Sequence, residues 1–264
     1  PCSIEFGCEG EAWPEYDPEA AVEMLNAALV EDGFVDADGN PQFPREAAQI
    51  HLRVVDRTYL PFPEQVGLDV QDQLKTTFGI LASVVVSDSA VFIPAANAGD
   101  LPGFHLLGWN ADYPDATNFL DYHFGAGAQP QFGEGWPDIH EALTRGATSA
   151  VPEVRQQAYT DANNAIRTNI PMIPVARGAS STAWAADVEG AHSSPLSNEL
   201  FYVIGGGADG VLVFMQNDQP ISLHCMDESD GETLRACEQI TESLYGYEIA
   251  GVTPIPSLAT ECTA

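Results

Sequence analysis

The residues best placed to do chemistry form one string, Gly108-Trp109-Asn110-Ala111-Asp112-Tyr113-Pro114-Asp115. An apolar run beginning at Phe104 leads into it, and a proline turns it. In open α/β sheets, ligands sit in the crevice beyond the carboxyl ends of the strands. A carboxylate there, Asp112, flanked by Trp109 and Tyr113, could hold a ligand ammonium through a charge-assisted hydrogen bond. The same string also reads as a polar loop after a strand, with Trp109 filling the core. The residues by themselves leave both readings open.

Other constellations are wanting. The six histidines, His51, His105, His123, His140, His192 and His224, are scattered, and no H-E-x-x-H, G-x-S-x-G or phosphate-binding loop occurs. With 39 Asp plus Glu, paired carboxylates are expected by chance and carry no meaning. Asp36-Ala37-Asp38-Gly39-Asn40 has the spacing of a calcium loop's first ligands but lacks the glutamate that closes such a loop, so a tight turn is expected. The expectation is a protein that is not an enzyme and uses no metal and no cofactor.

Five cysteines include no C-x-x-C pair, which points to two disulfides and one leftover thiol in an oxidising compartment, extracellular or periplasmic. Cys2 with Cys8 and Cys225 with Cys237 are the expected pairs, leaving Cys262 free; Cys225 with Cys262 is the competing choice. Nine Lys plus Arg give a net charge of −30. Such a surface repels phosphate backbones and anionic headgroups, so neither nucleic acid nor membrane is an expected partner. No run approaches the roughly 20 apolar residues of a membrane span, and the first residues lack the pattern of a signal peptide.

The elements that must position the string are legible from caps and periodicity. Asp17 as N-cap and Pro18 at N1 open a helix that runs through Met24, Leu25 and Ala28 to a stop at Gly33. Ile50, Leu52 and Val54 alternate as a strand. Pro63 opens a helix with Val66, Val70, Leu74 and Phe78 on one face, Gly79 ends it, and Ile80 to Val86 is a second strand. Strand, helix and strand with short links predict a βαβ unit and an at least partly parallel sheet. Phe104 to Trp109 reads as a further strand. A helix from Pro152 carries Val154, Ala158, Ala162 and Ile166, and Met172 to Arg177 returns as a strand. Gly205-Gly206-Gly207 reads as a flexible joint. Beyond it, Val211 to Met215 is expected to be a strand, and Asp230 to cap a helix bearing Leu234, Cys237, Ile240 and Leu244. The expected organisation is an irregular lead-in over 1–15, an α/β domain over 16–150, a return over 151–206, and a strand-helix segment over 207–264.

Several of these pieces resemble one family in its own order: Tyr16-Asp17-Pro18-Glu19-Ala20-Ala21, Gln73-Leu74 with Gly79-Ile80, the Trp109 to Asp115 string, Tyr159 to Ile166, and Ile170-Pro171 followed by Ile173-Pro174-Val175. The family is the extracellular solute-binding proteins of family 5, the oligopeptide-, dipeptide- and nickel-binding components of ABC importers. The resemblance implies a partial periplasmic-binding-protein-like fold of type II, an α/β class of mixed sheets with flanking helices. A peptide or other small solute would be the ligand and an ABC permease the partner. Asp112 would anchor a peptide's free amino group, with Trp109 and Tyr113 in the cleft wall. Family members are considerably longer, with most of a first lobe ahead of the part resembling Pro1 onward. The segment from Gly207 to Ala264 resembles the family's N-terminal strand-helix unit. The chain is thus expected to be a processed fragment or a permuted, shortened relative. The alternative is a structural protein that self-associates by docking residues 207–264 into a neighbouring copy, as heterologous contacts build rings or filaments.

Overall fold

The computed structural model describes residues 4, 6, 8–43, 50–56, 62–133, 135–176, 181–196, 199–207, 210–216, 219–220, 222–226, 228 and 230–262. The chain divides into two compact units, one of Gly10–Gly108 with Tyr122–Met172, the other of Pro1–Glu9, Trp109–Asp121 and Ile173–Ala264.

The first unit is built on a βαβ repeat. Strand β1 (Ile50–Asp56) lies between β2 (Ala82–Asp88) and β3 (Phe104–Leu106), and both pairings are parallel, with Leu52 opposite Val84 and Phe104. Parallel neighbours require a crossover. Helix α2 (Pro63–Phe78) supplies it and ends at Gly79 in the left-handed conformation, as its glycine anticipates. The buried face of α2 is rotated from the expected stripe. Val70 is exposed, and Gly67 and Gln71 face the sheet with Leu74 and Phe78. Gly67 is the reason. A Cβ there would sit 2.6 Å from Val84 Cγ1, so the helix approaches the sheet at its glycine. Gln71 Nε2 then reaches the Ala82 carbonyl at 2.6 Å.

Helix α1 (Pro18–Glu31) starts where its cap residue requires, with Asp17 Oδ1 accepting the Ala20 N–H at 2.9 Å. Asp36 then closes a tight turn by accepting the Asp38 and Asn40 N–H groups, each at 2.9 Å. Helix α3 (Ser89–Asn97), capped by Asp88, follows β2 directly, and its Phe92 and Ala96 join Val55 in a buried cluster with Ile93, Leu101 and Leu107 against it.

After the short helices α4 (Ala116–Phe119) and α5 (Asp121–Phe124), helix α6 (Pro137–Ala147) packs on α7 (Pro152–Asn169) through Ile139, Ala142, Leu143 and Gly146 on one side and Ala158, Tyr159, Ala162 and Ile166 on the other. Residues 10–12 are strapped to α7. The Glu11 N–H donates to Asn164 Oδ1 at 2.7 Å, and Arg167 Nε to the Ala12 carbonyl at 2.8 Å. The expected boundary at 150/151 lies between two helices that pack on each other, and the compact units change at 9/10, 108/109, 121/122 and 172/173.

The second unit has little regular structure among its described residues. Strands β4 (Val188–Glu189) and β5 (Gly205–Gly206) form one antiparallel ladder, and β6 (Tyr245–Tyr247) and β7 (Pro254–Pro256) another. Gly205 and Gly206 are thus paired backbone and not the flexible joint their composition suggests. Gly206 has φ +81°, and a Cβ on it would meet the Asp187 carbonyl oxygen at 2.2 Å.

Two expected strands are absent among the described residues. Residues 172–176 form no ladder, since Pro174 has no N–H to give one, and Arg177 lies outside the described residues. Val211 to Met215 forms no strand and pairs with none among the described residues. Its Val211, Val213 and Met215 face solvent, while Phe214 packs 4.9 Å from Phe201 and 5.6 Å from Trp184 between ring centroids.

Helix α8 (Gly231–Ile240) begins at Asp230, whose Oδ2 accepts the Thr233 N–H, and ends at Thr241, which is extended, so Leu244 lies outside the helix and is exposed. The buried Glu199 carboxylate receives Arg235 Nε and the Thr182 hydroxyl, each at 3.1 Å, and Gln239 bonds both the Phe201 N–H and the Glu199 carbonyl. Cys225 is bonded to Cys237 of α8 with Cα atoms 5.6 Å apart, and Cys262 is free and exposed. Cys8 is disulfide-bonded, and Cys2, its expected partner, lies outside the described residues. Among the described residues no helix is long and apolar enough to cross a membrane.

Candidate functional site

Residues 109–118 fold into a tight knot in the second unit. Asp115 caps α4, its Oδ1 accepting the Thr117 N–H at 2.9 Å and the Thr117 hydroxyl at 2.8 Å. That turn places Asn118 inward, with only 2% of its surface exposed. The Asn118 carboxamide oxygen accepts the Trp109 indole N–H and the Asp112 backbone N–H, each at 3.1 Å, and its amino group donates to Asp112 Oδ2 at 3.1 Å. Trp109 and Asp112 are both half-buried. Tyr113 is more exposed, with its hydroxyl 3.2 Å from that of Thr117.

Burial raises the Asp112 carboxyl above its ordinary range, and the Asn118 hydrogen bond opposes that rise. One Asp112 oxygen is held by Asn118. The other has no partner among the described residues. Two groups that sequence reasoning missed belong to the same neighbourhood. The Tyr247 phenol is raised by its burial, then by the nearby Glu238 carboxylate and by Tyr113, while burial raises the Glu238 carboxyl itself. Glu238 comes from α8 and Tyr247 from β6, far along the chain, and no local pattern announces them. Asn118 carried one weak signal, a polar residue placed against Phe119-Leu120 just inside an aspartate cap.

A second feature lies in the first unit. A cavity of about 80 Å³ is lined by His123, Phe132, Trp136 and His140 among others. Burial holds the His123 imidazole down to about 4 from its ordinary 6.5, against the opposing pull of Gln131 Oε1 at 3.1 Å. His105, stacked on Phe132 and likewise lowered by burial, leaves Nε2 without a partner among the described residues. The cavity's volume is well below the roughly 300–1,000 Å³ of pockets that enclose a drug-sized ligand.

No protein-family model matches the chain. A dipeptide-binding protein of Pseudomonas aeruginosa is 25% identical over 191 residues, covering 71% of this chain and 33% of the relative. Among solved structures, the Escherichia coli murein tripeptide binding protein MppA superposes with a TM-score of 0.52 at 15% identity, covering 65% of this chain and 31% of that one. Haemophilus influenzae OppA, in complex with the peptide RPPGFSPFR, gives 0.51 at 18% identity, covering 66% and 32%. The ABC transporter-associated periplasmic binding protein DppA from Helicobacter pylori, in complex with the peptide STSA, gives 0.51 at 20% identity, covering 65% and 31%. The chain spans about a third of the length of the relatives it matches. Over about two thirds of its own length, it carries the fold of the family 5 extracellular solute-binding proteins.

Proposed function

We propose that this chain is part of a solute-capturing protein that holds a peptide-like ligand by its free amino group, working outside the cytoplasm, in the periplasm or at the cell surface, for an ABC permease. The observation that carries the reading is the half-open carboxylate of Asp112. One oxygen is fixed by Asn118, the other is unengaged among the described residues, and Trp109 and Tyr113 stand beside it. A partly buried carboxylate with one free oxygen suits a primary ammonium, because burial strengthens the charge-assisted bond and penalises leaving the carboxylate unpaired. The relatives are a dipeptide-binding protein, a murein tripeptide binding protein and proteins in complex with RPPGFSPFR and with the peptide STSA, which supports a peptide as the solute class.

The test is calorimetric titration of the chain with trialanine and with its N-acetylated form. Trialanine is expected to bind, and acetylation, which removes the ammonium, to weaken binding by roughly tenfold to a hundredfold, the worth of one hydrogen bond to a charged group. Equal affinities for the two peptides would rule out amine anchoring. A folded chain that ignores both would rule out the peptide reading.

A further inference from the structure

Asn118 is almost completely buried, and each of its polar atoms is employed. Turning its amide over would set the amino group against two N–H donors and the oxygen against a carboxylate, so the three bonds fix its orientation. Other side chains do not substitute. Aspartate offers no donor, leucine offers neither donor nor acceptor, and glutamine adds a methylene to a filled site.

We propose that Asn118 is the positioning residue of this site, a single buried carboxamide that fixes the Asp112 carboxylate and the Trp109 indole relative to each other and leaves one Asp112 oxygen open for a ligand. This rests on the reading of Asp112 as the anchor. The hydrogen bond from Asn118 also holds the Asp112 carboxyl more acidic than burial alone would leave it. The neighbouring titratable groups are Tyr113 and Asp115 on its own loop, with Glu238 of α8 and Tyr247 of β6 beyond Tyr113, and no ion pair reaches Asp112 among the described residues.

Two variants separate the parts. Asn118→Asp keeps an oxygen for both N–H donors and replaces the donor to Asp112 with a second carboxyl, whose charge also opposes ionisation of Asp112, while Asn118→Leu keeps the approximate shape and removes all three bonds with no added charge. In the ligand-free chain, the carboxyl-carbon resonance of Asp112 is expected to titrate at higher pH in both variants. The Trp109 indole N–H resonance is expected to move in Asn118→Leu and to stay in Asn118→Asp. An Asp112 titration unmoved in both overturns the proposal, whatever the ligand.

With trialanine, Asn118→Asp is expected to lose about tenfold in affinity, and the loss should vanish in an Asp112→Asn background, because a residue acting through another shows no effect once that other is gone. Equal losses in both backgrounds would mean that Asn118 serves the fold and does not act through Asp112, which also overturns the proposal. Should the parent chain ignore trialanine, the peptide reading falls, and the titration alone confirms or overturns the role of Asn118.

Discussion

Asp112→Asn keeps the shape of the side chain and removes its charge, so it isolates what the carboxylate contributes to ligand capture. The expected loss in trialanine affinity is about 1.5–3 kcal/mol, and titration that finds the parent affinity retained would dismiss the anchor. His123 gives a second residue-scale expectation, this one about stability. Its imidazole is held to about 4 in the fold, while an unfolded chain takes up the proton near 6.5. The contribution to stability is therefore complete above about pH 6.5 and drains away as pH falls towards 4, to an extent on the order of 3 kcal/mol. Between pH 7 and pH 4 the parent should lose that much more unfolding free energy than His123→Gln, as read by urea denaturation at each pH. Parallel pH profiles for the two proteins would contradict it. At this scale the sequence is legible where chemistry is contiguous. Trp109, Asp112 and Tyr113 stand out because they are neighbours in one string after a strand. Asn118, Glu238 and Tyr247 do not, because their burial and proximity are created by tertiary packing that no local spacing encodes.

The helices with strong punctuation are readable from the sequence alone: Asp17 and Asp230 as caps, Pro63 and Pro152 at first turns, Gly79 as a terminus. What periodicity misses is which face of α2 is inward, because the inward residue is a glycine and hydrophobic patterns cannot register an absent side chain. Gly67→Ala tests this packing. A Cβ would improve helix propensity by about 1 kcal/mol, but it would stand 2.6 Å from a stiff valine methyl, and such overpacking costs about 1–3 kcal/mol. The net expectation is a lower melting temperature, and a raised one would show that the helix can shift away at no cost. The disulfide in the second unit supports a different expectation. Cys225 and Cys237 are 12 residues apart and tie an irregular loop to α8, so replacing both by serine should cost about 3 kcal/mol, measured as a drop in denaturant midpoint. The two-residue ladders of β4 with β5 and the short hairpin of β6 with β7 leave no readable alternation, since strands this short consist mostly of glycine, proline and tyrosine.

On the scale of the whole chain, the fold class is legible, and the interleaving of the two compact units is not. A unit assembled from residues 10–108 and 122–172 is interrupted by a loop that belongs to the other unit, and such interleaving leaves no mark in composition. Charge, by contrast, is a property of the whole chain that composition states outright and that the structure does not offset. Nine cationic side chains face 39 acidic ones, so pairing cannot neutralise the excess whatever the geometry. Of the described ion pairs, Arg145–Asp161 and Arg167–Glu11 lie at the surface, where each is worth at most about 1 kcal/mol and weakens with salt. The repulsion among the remaining acids is weakened by the same salt and involves many more groups. Raising NaCl from about 0.01 M to 1 M shortens the screening length from about 30 Å to about 3 Å, well inside the dimensions of a chain of 28.2 kDa. Relief of self-repulsion should therefore outweigh the loss of the surface pairs, and the melting temperature should rise. If screening recovers about 2 kcal/mol, the rise is about 4–8 °C for a domain of this size. Most of it should come below about 0.3 M, where the screening length falls below typical spacings between surface charges. An uncharged co-solute at matched osmolality separates this effect from general exclusion, which also stabilises compact states. A melting temperature that is flat or falling across the NaCl series would show that the few cationic side chains stabilise the fold more than the acidic excess destabilises it.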